Sequence, residues 1–465
     1  MIDIDSPLDL DDPAAAQFLG GLQGNIIKGH GRDFTAHLVL KMTADRQTVR
    51  SWIAKFAGAH VTTAAIAKRQ TLAWRAAPKD ANDKGEPFAM FLLAPDGYRH
   101  LGFSDAELPA PRSDKFTNPV HSQYFTLGMK GQSSVPAPGR HYNDPPPAQW
   151  DGPYRQQIHA MVLLADDDRD RLDRSVEDIT ASLAGVFELL TTERGQVLRE
   201  KFPRGKLDIE HFGFQDGVSQ PLMIKQDIAQ EVARRGNTHW NPAAPLWLAL
   251  VEEPGAAGGF GSFMVFRKLE QNVKAFWDTL EQLSRQSGVP AEDLGAMAVG
   301  RRRDGTPAVP TTTIDPSADF NDFHYSQDVD GAKCPFHAHI RKTNPRGDIP
   351  NPELERARRI VRRGITYGDR PDLSVRPETG MGLLFMCFQS NLDQFAIQQE
   401  GSDANDFINP GVGVDAVIGQ NSAAIPQTWP STGTVKFTMA NLVKMKGGEY
   451  FFAPSMGFLK GLATS

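Results

Sequence analysis

Four times along this chain a short apolar run, rich in β-branched and aromatic residues, gives way to a segment with helical spacing. "HLVLKM" at 37–42 leads into "TADRQTVRSWIAKFA", and "IHAMVLLADDD" at 158–168 leads into "RDRLDRSVEDITASLAGVFELL". "GSFMVFRKLEQNVKAFWDTLEQL" at 261–283 and "GLLFMCFQSNLDQFAIQ" at 382–398 share one plan: a glycine, five or six apolar residues, a polar break, then leucine and an acid. Strands and helices of this kind bury their apolar faces only by packing on one another. The repetition predicts an α+β fold: two ferredoxin-like domains, with antiparallel sheets and peripheral helices.

The chain has 465 residues, too many for one ordinary core. We place a boundary near residue 225, just after "GFQDGVSQP", so that the domains run over 1–225 and 226–465. The formal charge of −6 argues against a general nucleic-acid binder, which needs a basic surface. Two cysteines, Cys334 and Cys387, allow at most one disulfide. The opening "MIDIDSPLDLDDPAAAQF" is acidic and lacks an export signal, and no apolar run reaches the length of a membrane span. A cytoplasmic monomer or small homo-oligomer is the expectation. "GMKGQSSVPAPGRHYNDPPPAQWDGP" at 128–153 reads as a long surface loop. "GAAGGFG" at 255–261 precedes a strand instead of following one, so it reads as a turn, not a dinucleotide fingerprint.

Chemistry concentrates in three stretches. "CPFHAHIRKTNPR" at 334–346 sets His337 and His339 two positions apart. On a strand both face one side and could share a metal; on a helix they diverge by roughly 200°, and only one faces a cofactor. Cys334 is itself a candidate thiolate ligand. "GFQDGVSQP" at 213–221 sets Asp216 between glycines, which allow a tight turn and a close approach to a ligand, although an Asp-Gly turn alone explains it equally. "RARRIVRRGITYG" at 356–368 is crowded with arginine. Asn351-Pro352-Glu353 resembles a helix start, yet Ile360, Val361, Ile365, Thr366 and Tyr367 favour a strand, and the two readings stay open. No HExxH, Walker A, GxSxG or paired CxxC motif occurs.

Taken in order, "GFQDGVSQP", "CPFHAHIRKTNPR", "RRGITYG", "GLLFMCFQ" and "GGEYFFAPS" resemble the dye-decolorising peroxidases, and "LQGNIIKGHGRD" at 22–33 resembles the start of their longer, fungal-like branch. The resemblance implies two ferredoxin-like domains, haem b (iron protoporphyrin IX) in the second, and peroxide-dependent oxidation of dyes and phenols. It makes His339 the iron ligand, Asp216 the distal acid and Arg362 the distal arginine, six residues before the glycine that closes "RRGITYG". Leu383 and Phe385 resemble the pair lining the distal side, and Arg346 a residue that pairs with a haem propionate. Asp415 resembles the carboxylate behind the proximal histidine, at a shorter spacing than the family pattern. His337 stands where the family often has a small residue; a helical 335–342 turns it away from the iron.

The chemistry is coherent. A carboxylate on the far nitrogen of a ligating imidazole raises its basicity. Peroxide loses a proton from one oxygen and gains one on the departing oxygen, which a single residue accomplishes as base and then acid. Aspartate, with an ordinary pKa of about 3.9, suits this at low pH, and an arginine stabilises the charge that develops. Bulky reductants would need a relay through surface Trp240, Trp247, Trp277, Tyr325 or Tyr450, each of which packing alone also explains. A non-enzymatic haem carrier or sensor on the same fold is the alternative; it has no use for Asp216 and Arg362.

Overall fold

The structure is a computed structural model that describes residues 2–76, 85–132, 142–203, 205–235, 239–253, 258–309, 321–406, 409–420, 425–429 and 435–464. Eight strands form the continuous path of its ten-stranded main sheet: β1 (Phe34–Met42), β2 (Phe88–Leu93), β3 (Ala160–Asp166), β4 (Phe187–Gln196), β5 (Phe260–Gln271), β6 (Ile365–Tyr367), β7 (Gly382–Gln389) and β8 (Val443–Ala453). Their order is β6-β7-β5-β8-β2-β3-β1-β4, and every pairing along it is antiparallel. The order falls into two equivalent halves. β4-β1-β3-β2 and β8-β5-β7-β6 each place the fourth strand beside the first and the third beside the second, as in a β-α-β-β-α-β unit. This is the α+β, doubly ferredoxin-like architecture expected from the repeated strand–helix pattern.

The halves join through one pairing, Phe452 opposite Leu93. The sheet then curls until its ends meet. The Thr366 hydroxyl donates to the Gln196 carbonyl, and a Cβ on Gly195 would lie 2.5 Å from an Ile365 methyl. Glycine at 195 is therefore what lets β6 approach β4. β2 and β3 are buried on both faces, so their continuous apolar runs match a sheet covered on both sides.

Each half sends a helix from its first and third strands. α1 (Arg46–Ala59) and α2 (Arg169–Ser182) follow β1 and β3. α3 (Val273–Ser287) follows β5; two short helices, α4 (His339–Thr343) and α5 (Pro352–Ala357), come before β6; α6 (Asp393–Asp403) follows β7. α3 shows why the sequence behaves so. Asn272 caps it by accepting the Ala275 amide at 2.8 Å, and Gly288, at φ 74°, ends it in the left-handed region. Between the caps, Val273, Phe276, Trp277, Leu280 and Leu283 fall on one stripe and are buried. They pack with Phe212, Phe214 and Trp429 in a second core cluster. Each such side chain contributes about 1.5–3 kcal/mol by leaving water, so this stripe anchors the chain around residue 214.

The arginine-rich stretch satisfies both readings in succession. Asn351 caps α5 through the Glu353 and Leu354 amides, and Val361–Arg362 then pairs with Cys387 and Phe388 of β7 as a two-residue strand. The reading of 128–153 as a surface loop is corrected: Tyr124–Gln132 is helical with a break at Gly128, and Pro147–Gln149 and Gly152–Arg155 form helical turns. The apolar side chains decide this. Trp150 is buried and donates to the Pro145 carbonyl at 2.9 Å, and Tyr142 packs on Phe395. Residues 133–141 of that stretch lie outside the described residues, as do 254–257 of the glycine-rich turn; Gly258, at φ 74°, leads into β5. A domain boundary near 225 is kept as a proposal. No helix among the described residues is long and apolar enough to cross a membrane.

Candidate active site

Alternation along β7 opens the site. Leu384 and Met386 point into the core, whereas Leu383 and Phe385 stay partly exposed and line a cavity of about 280 Å³. His339, Arg346, Asp216 and Arg362 line the same cavity. Six of the seven site residues expected from the sequence thus meet on one wall-lined space, and the seventh, Asp415, stands directly behind His339.

His339 is the first residue of α4, after a turn over 335–338. Its Nδ1 lies 2.9 Å from Oδ2 of Asp415, which is wholly buried. Asp415 also accepts the Val417 and Ile418 amides at 2.8 and 2.9 Å and the Ser402 hydroxyl at 3.3 Å. Burial pushes this carboxyl up, but His339 and the two amides outweigh it and hold it below the usual carboxylate range. With Nδ1 so engaged, Nε2 is the nitrogen left for a ligand.

His337 goes elsewhere. It is buried against Trp429, ring centroids 4.5 Å apart, its Nε2 has no partner among the described residues, and it does not line the cavity. Burial, reinforced by Lys342, lowers its pKa to about 3. Only its backbone serves the site, through the Ala416 amide donating to the His337 carbonyl at 3.1 Å. The structure therefore does not assemble a two-histidine metal site, and the turn, not a helix over 335–342, separates the rings.

Asp216 sits on a loop and Arg362 ends a two-residue strand 146 positions later. Arg362 Nη1 lies 3.3 Å from Asp216 Oδ1, and its Nη2 donates to the Ser219 carbonyl at 3.0 Å. The Arg362 amide donates to the Gln220 side chain at 3.1 Å, so the strand end is tied to the same loop at two levels. Gly217, at φ 72°, lets the chain turn while its amide donates to Asp216 Oδ1 at 2.6 Å.

Arg346 is the most unusual charge. It is buried between the rings of Trp240 and Phe323, 4.4 and 4.3 Å from their centroids. It donates to the Asn321 carbonyl and side chain and to the Ser219 hydroxyl, all neutral, and no carboxylate lies within ion-pair distance among the described residues. Burial, with Arg301 nearby, lowers its pKa to about 9. Arg301 and Arg359 line the same cavity. A cavity wall this cationic is chemically fitted to an anionic group, and the two propionates of a haem have that chemistry.

Other expectations are corrected. Cys334 is buried, absent from the cavity lining, and raised by burial to about 12, far from a ready thiolate. Trp240, Trp277, Tyr325 and Tyr450, considered as surface relays, are buried in packing; Trp247 alone is partly exposed, under the guanidinium of Arg112 at 4.7 Å. Sequence reasoning also missed Glu210, Gln271, Arg301, Arg359 and Phe395 on the cavity wall. Glu210 stands three residues before "GFQDG", and Arg359 lies within the arginine-rich stretch at 356–368.

Comparison with known proteins places the chain in a family. Residues 208–409 match the family described as Dyp-type peroxidase, C-terminal. The Multifunctional dye peroxidase DyP2 of Amycolatopsis sp. is 37% identical over 96% of both chains, and the fungal Dye-decolorizing peroxidase msp1 of Mycetinis scorodonius is 30% identical over 68% of both. The crystal structure of the DyP-type peroxidase of Anabaena sp. superposes with a TM-score of 0.87 and 37% identity, covering 100% of both chains. The chain belongs to the dye-decolorising peroxidase family.

Proposed function

We propose the following division of labour in this dye-decolorising haem peroxidase: His339 holds the iron of haem b, Asp415 orients His339 and makes it a stronger electron donor, Arg346 meets a propionate, and Asp216 with Arg362 handles hydrogen peroxide. The observation that carries it is the pairing of two ionic contacts on one cavity, His339 with Asp415 and Arg362 with Asp216. A carrier or sensor has use for the first and none for the second.

Haem, when bound, supplies the redox centre that takes up the oxidising power of peroxide and passes it on one electron at a time to dyes, phenols and similar aromatic reductants. Asp216 accepts the proton of the entering peroxide on a carboxylate oxygen and returns it to the oxygen that leaves as water. Arg362 directs its donors at the charge that develops there; its guanidinium is permanent and needs no reorganisation. Leu383 and Phe385 keep that wall apolar, which limits water and strengthens the local electrostatics. Asp415, through Nδ1, fixes the tautomer and ring plane of His339. The two buried, unpaired thiols agree with a cytoplasmic setting, which we retain as part of the proposal.

An absorbance scan of the purified protein, followed by peroxide and a phenol such as 2,6-dimethoxyphenol, tests the reading. A Soret band and turnover that requires peroxide are expected. A haem protein that bleaches under peroxide without turnover would return the carrier reading, and a ferrous–CO band moved to long wavelength would return Cys334.

A further inference from the structure

Glu210 occupies the cavity wall beside the Asp216 loop, and nothing in the proposed mechanism uses it. Its carboxylate sits inside the turn. Oε2 accepts the Phe212 amide at 2.8 Å and Oε1 the Phe214 amide at 2.9 Å. Its backbone closes the same turn, donating to the Phe214 carbonyl at 3.0 Å and accepting the Gly213 amide at 2.9 Å. The turn is gripped from outside as well: Trp277 donates to the Phe212 carbonyl at 3.2 Å, and Arg303 to the Gly213 carbonyl at 3.1 Å. Four residues of backbone are thereby fixed just before Asp216, whose amide donates to the Asp208 carbonyl at 3.1 Å.

A second observation faces it from another element. Gln271, the last residue of β5, donates its amide to Glu210 Oε2, and it lines the cavity too. Its own carbonyl oxygen is buried without a partner among the described residues.

We propose that Glu210 is a positioning residue for peroxide activation: it moulds the turn that delivers Asp216 to Arg362, and its buried carboxyl adds an ionisation of its own to that step. The inference rests on the reading of Asp216 as the acid–base group. The charged groups around Glu210 are Asp216 on its own loop and Arg370 beyond β6; Arg370 is in turn surrounded by Arg303, Glu200 and Arg376. Burial raises the Glu210 carboxyl, the three hydrogen bonds lower it, and the Asp216 charge raises it again, with a net upward direction.

Cyanide association with the ferric holoenzyme, followed against pH, reads these ionisations without turnover, because entering hydrogen cyanide must surrender a proton to a cavity base. The wild type is expected to show two acid-side ionisations. Glu210→Gln should show one and associate at least about tenfold more slowly, while Glu210→Asp keeps two. If Glu210→Gln does not hold haem, Gln271→Met serves: removing the amide donor should move the upper ionisation to higher pH, since the charged form loses a hydrogen bond. Two unchanged ionisations and a wild-type rate in Glu210→Gln, or an unmoved upper ionisation in Gln271→Met, overturn the inference. Asp216→Asn separates the two claims. If it alone slows cyanide, only the Glu210 inference falls; if it leaves cyanide association untouched, the Asp216 reading falls first.

Discussion

His339 Nδ1 and Asp415 Oδ2 lie 2.9 Å apart although 76 positions separate them in the chain. The contact joins α4 to the loop that follows α6. α4 presents His339 at its first residue, and the Asp415 loop is pinned by Ser402 of α6, whose carbonyl accepts the Asp415 amide at 2.8 Å. A buried carboxylate with four donors has little freedom to drift, so the imidazole plane is set before any cofactor enters.

Asp415→Asn tests that orientation. The amide retains the shape but not the charge, and its NH2 has no acceptor where the Val417 and Ile418 amides point. Haem should be retained, with activity or haem affinity reduced about 10- to 100-fold, the range for such supporting contacts. Dye turnover and haem transfer to apomyoglobin measure the two effects. Wild-type values for both would show that His339 needs no carboxylate.

Asp216→Asn and Arg362→Leu should each slow the first reaction with hydrogen peroxide by about 10²–10⁴, with haem kept in both. Arg362→Leu is expected to be at least as damaging, because it removes a permanent charge and also unties the strand end from the Ser219 loop. Stopped-flow mixing decides the order. A wild-type rate in Arg362→Leu would remove the distal assignment; Arg363, occupied with the Asn25 and Ile26 carbonyls, is poorly placed to replace it.

Glu449 contributes stability that is lost as pH rises towards neutrality. Burial raises its carboxyl to about 7, against the amides of Met129 and Tyr450, which it accepts at 2.6 and 2.9 Å. A group raised on folding contributes its full stability below its unfolded pKa and loses it as pH climbs through the folded value. Glu449→Gln keeps one oxygen for both amides and cannot ionise. It should match the wild type at pH ~5 and exceed it by up to about 3 kcal/mol at pH ~8, read as a Tm gain that grows with pH. A gain independent of pH would place the effect in packing instead.

The strands and their helices were legible because their signal is local: β5 and α3 carry a continuous apolar run and then a period of 3.6 within a single stretch, with Asn272 marking the change. His339, Asp216 and Arg362 were legible through short motifs that must stay contiguous to work. Asp415 was harder, since its partner is 76 residues away and its own loop has no pattern beyond one acid among apolar residues. Glu210 and Gln271 were not legible, because their pairing arises only in the folded chain, across 61 positions of sequence. The stretch 128–153 misled through composition: proline and glycine marked a loop, while Tyr142 and Trp150 were the residues that committed it to the core. The aromatic side chains considered as surface relays misled in the same way, since residue type carries no information on depth.

Haem content in two histidine variants tests the central claim most directly. The claim is that His339, and not His337, holds the cofactor in the cavity shared with Asp216 and Arg362. His339→Ala and His337→Ala are purified alongside the wild type, and the Soret-to-protein absorbance ratio is measured for each. His339→Ala should lose most of its haem, and His337→Ala should keep it, at the cost of a cavity against Trp429 that lowers stability without emptying the site. Full haem with a wild-type Soret position in His339→Ala would contradict the account.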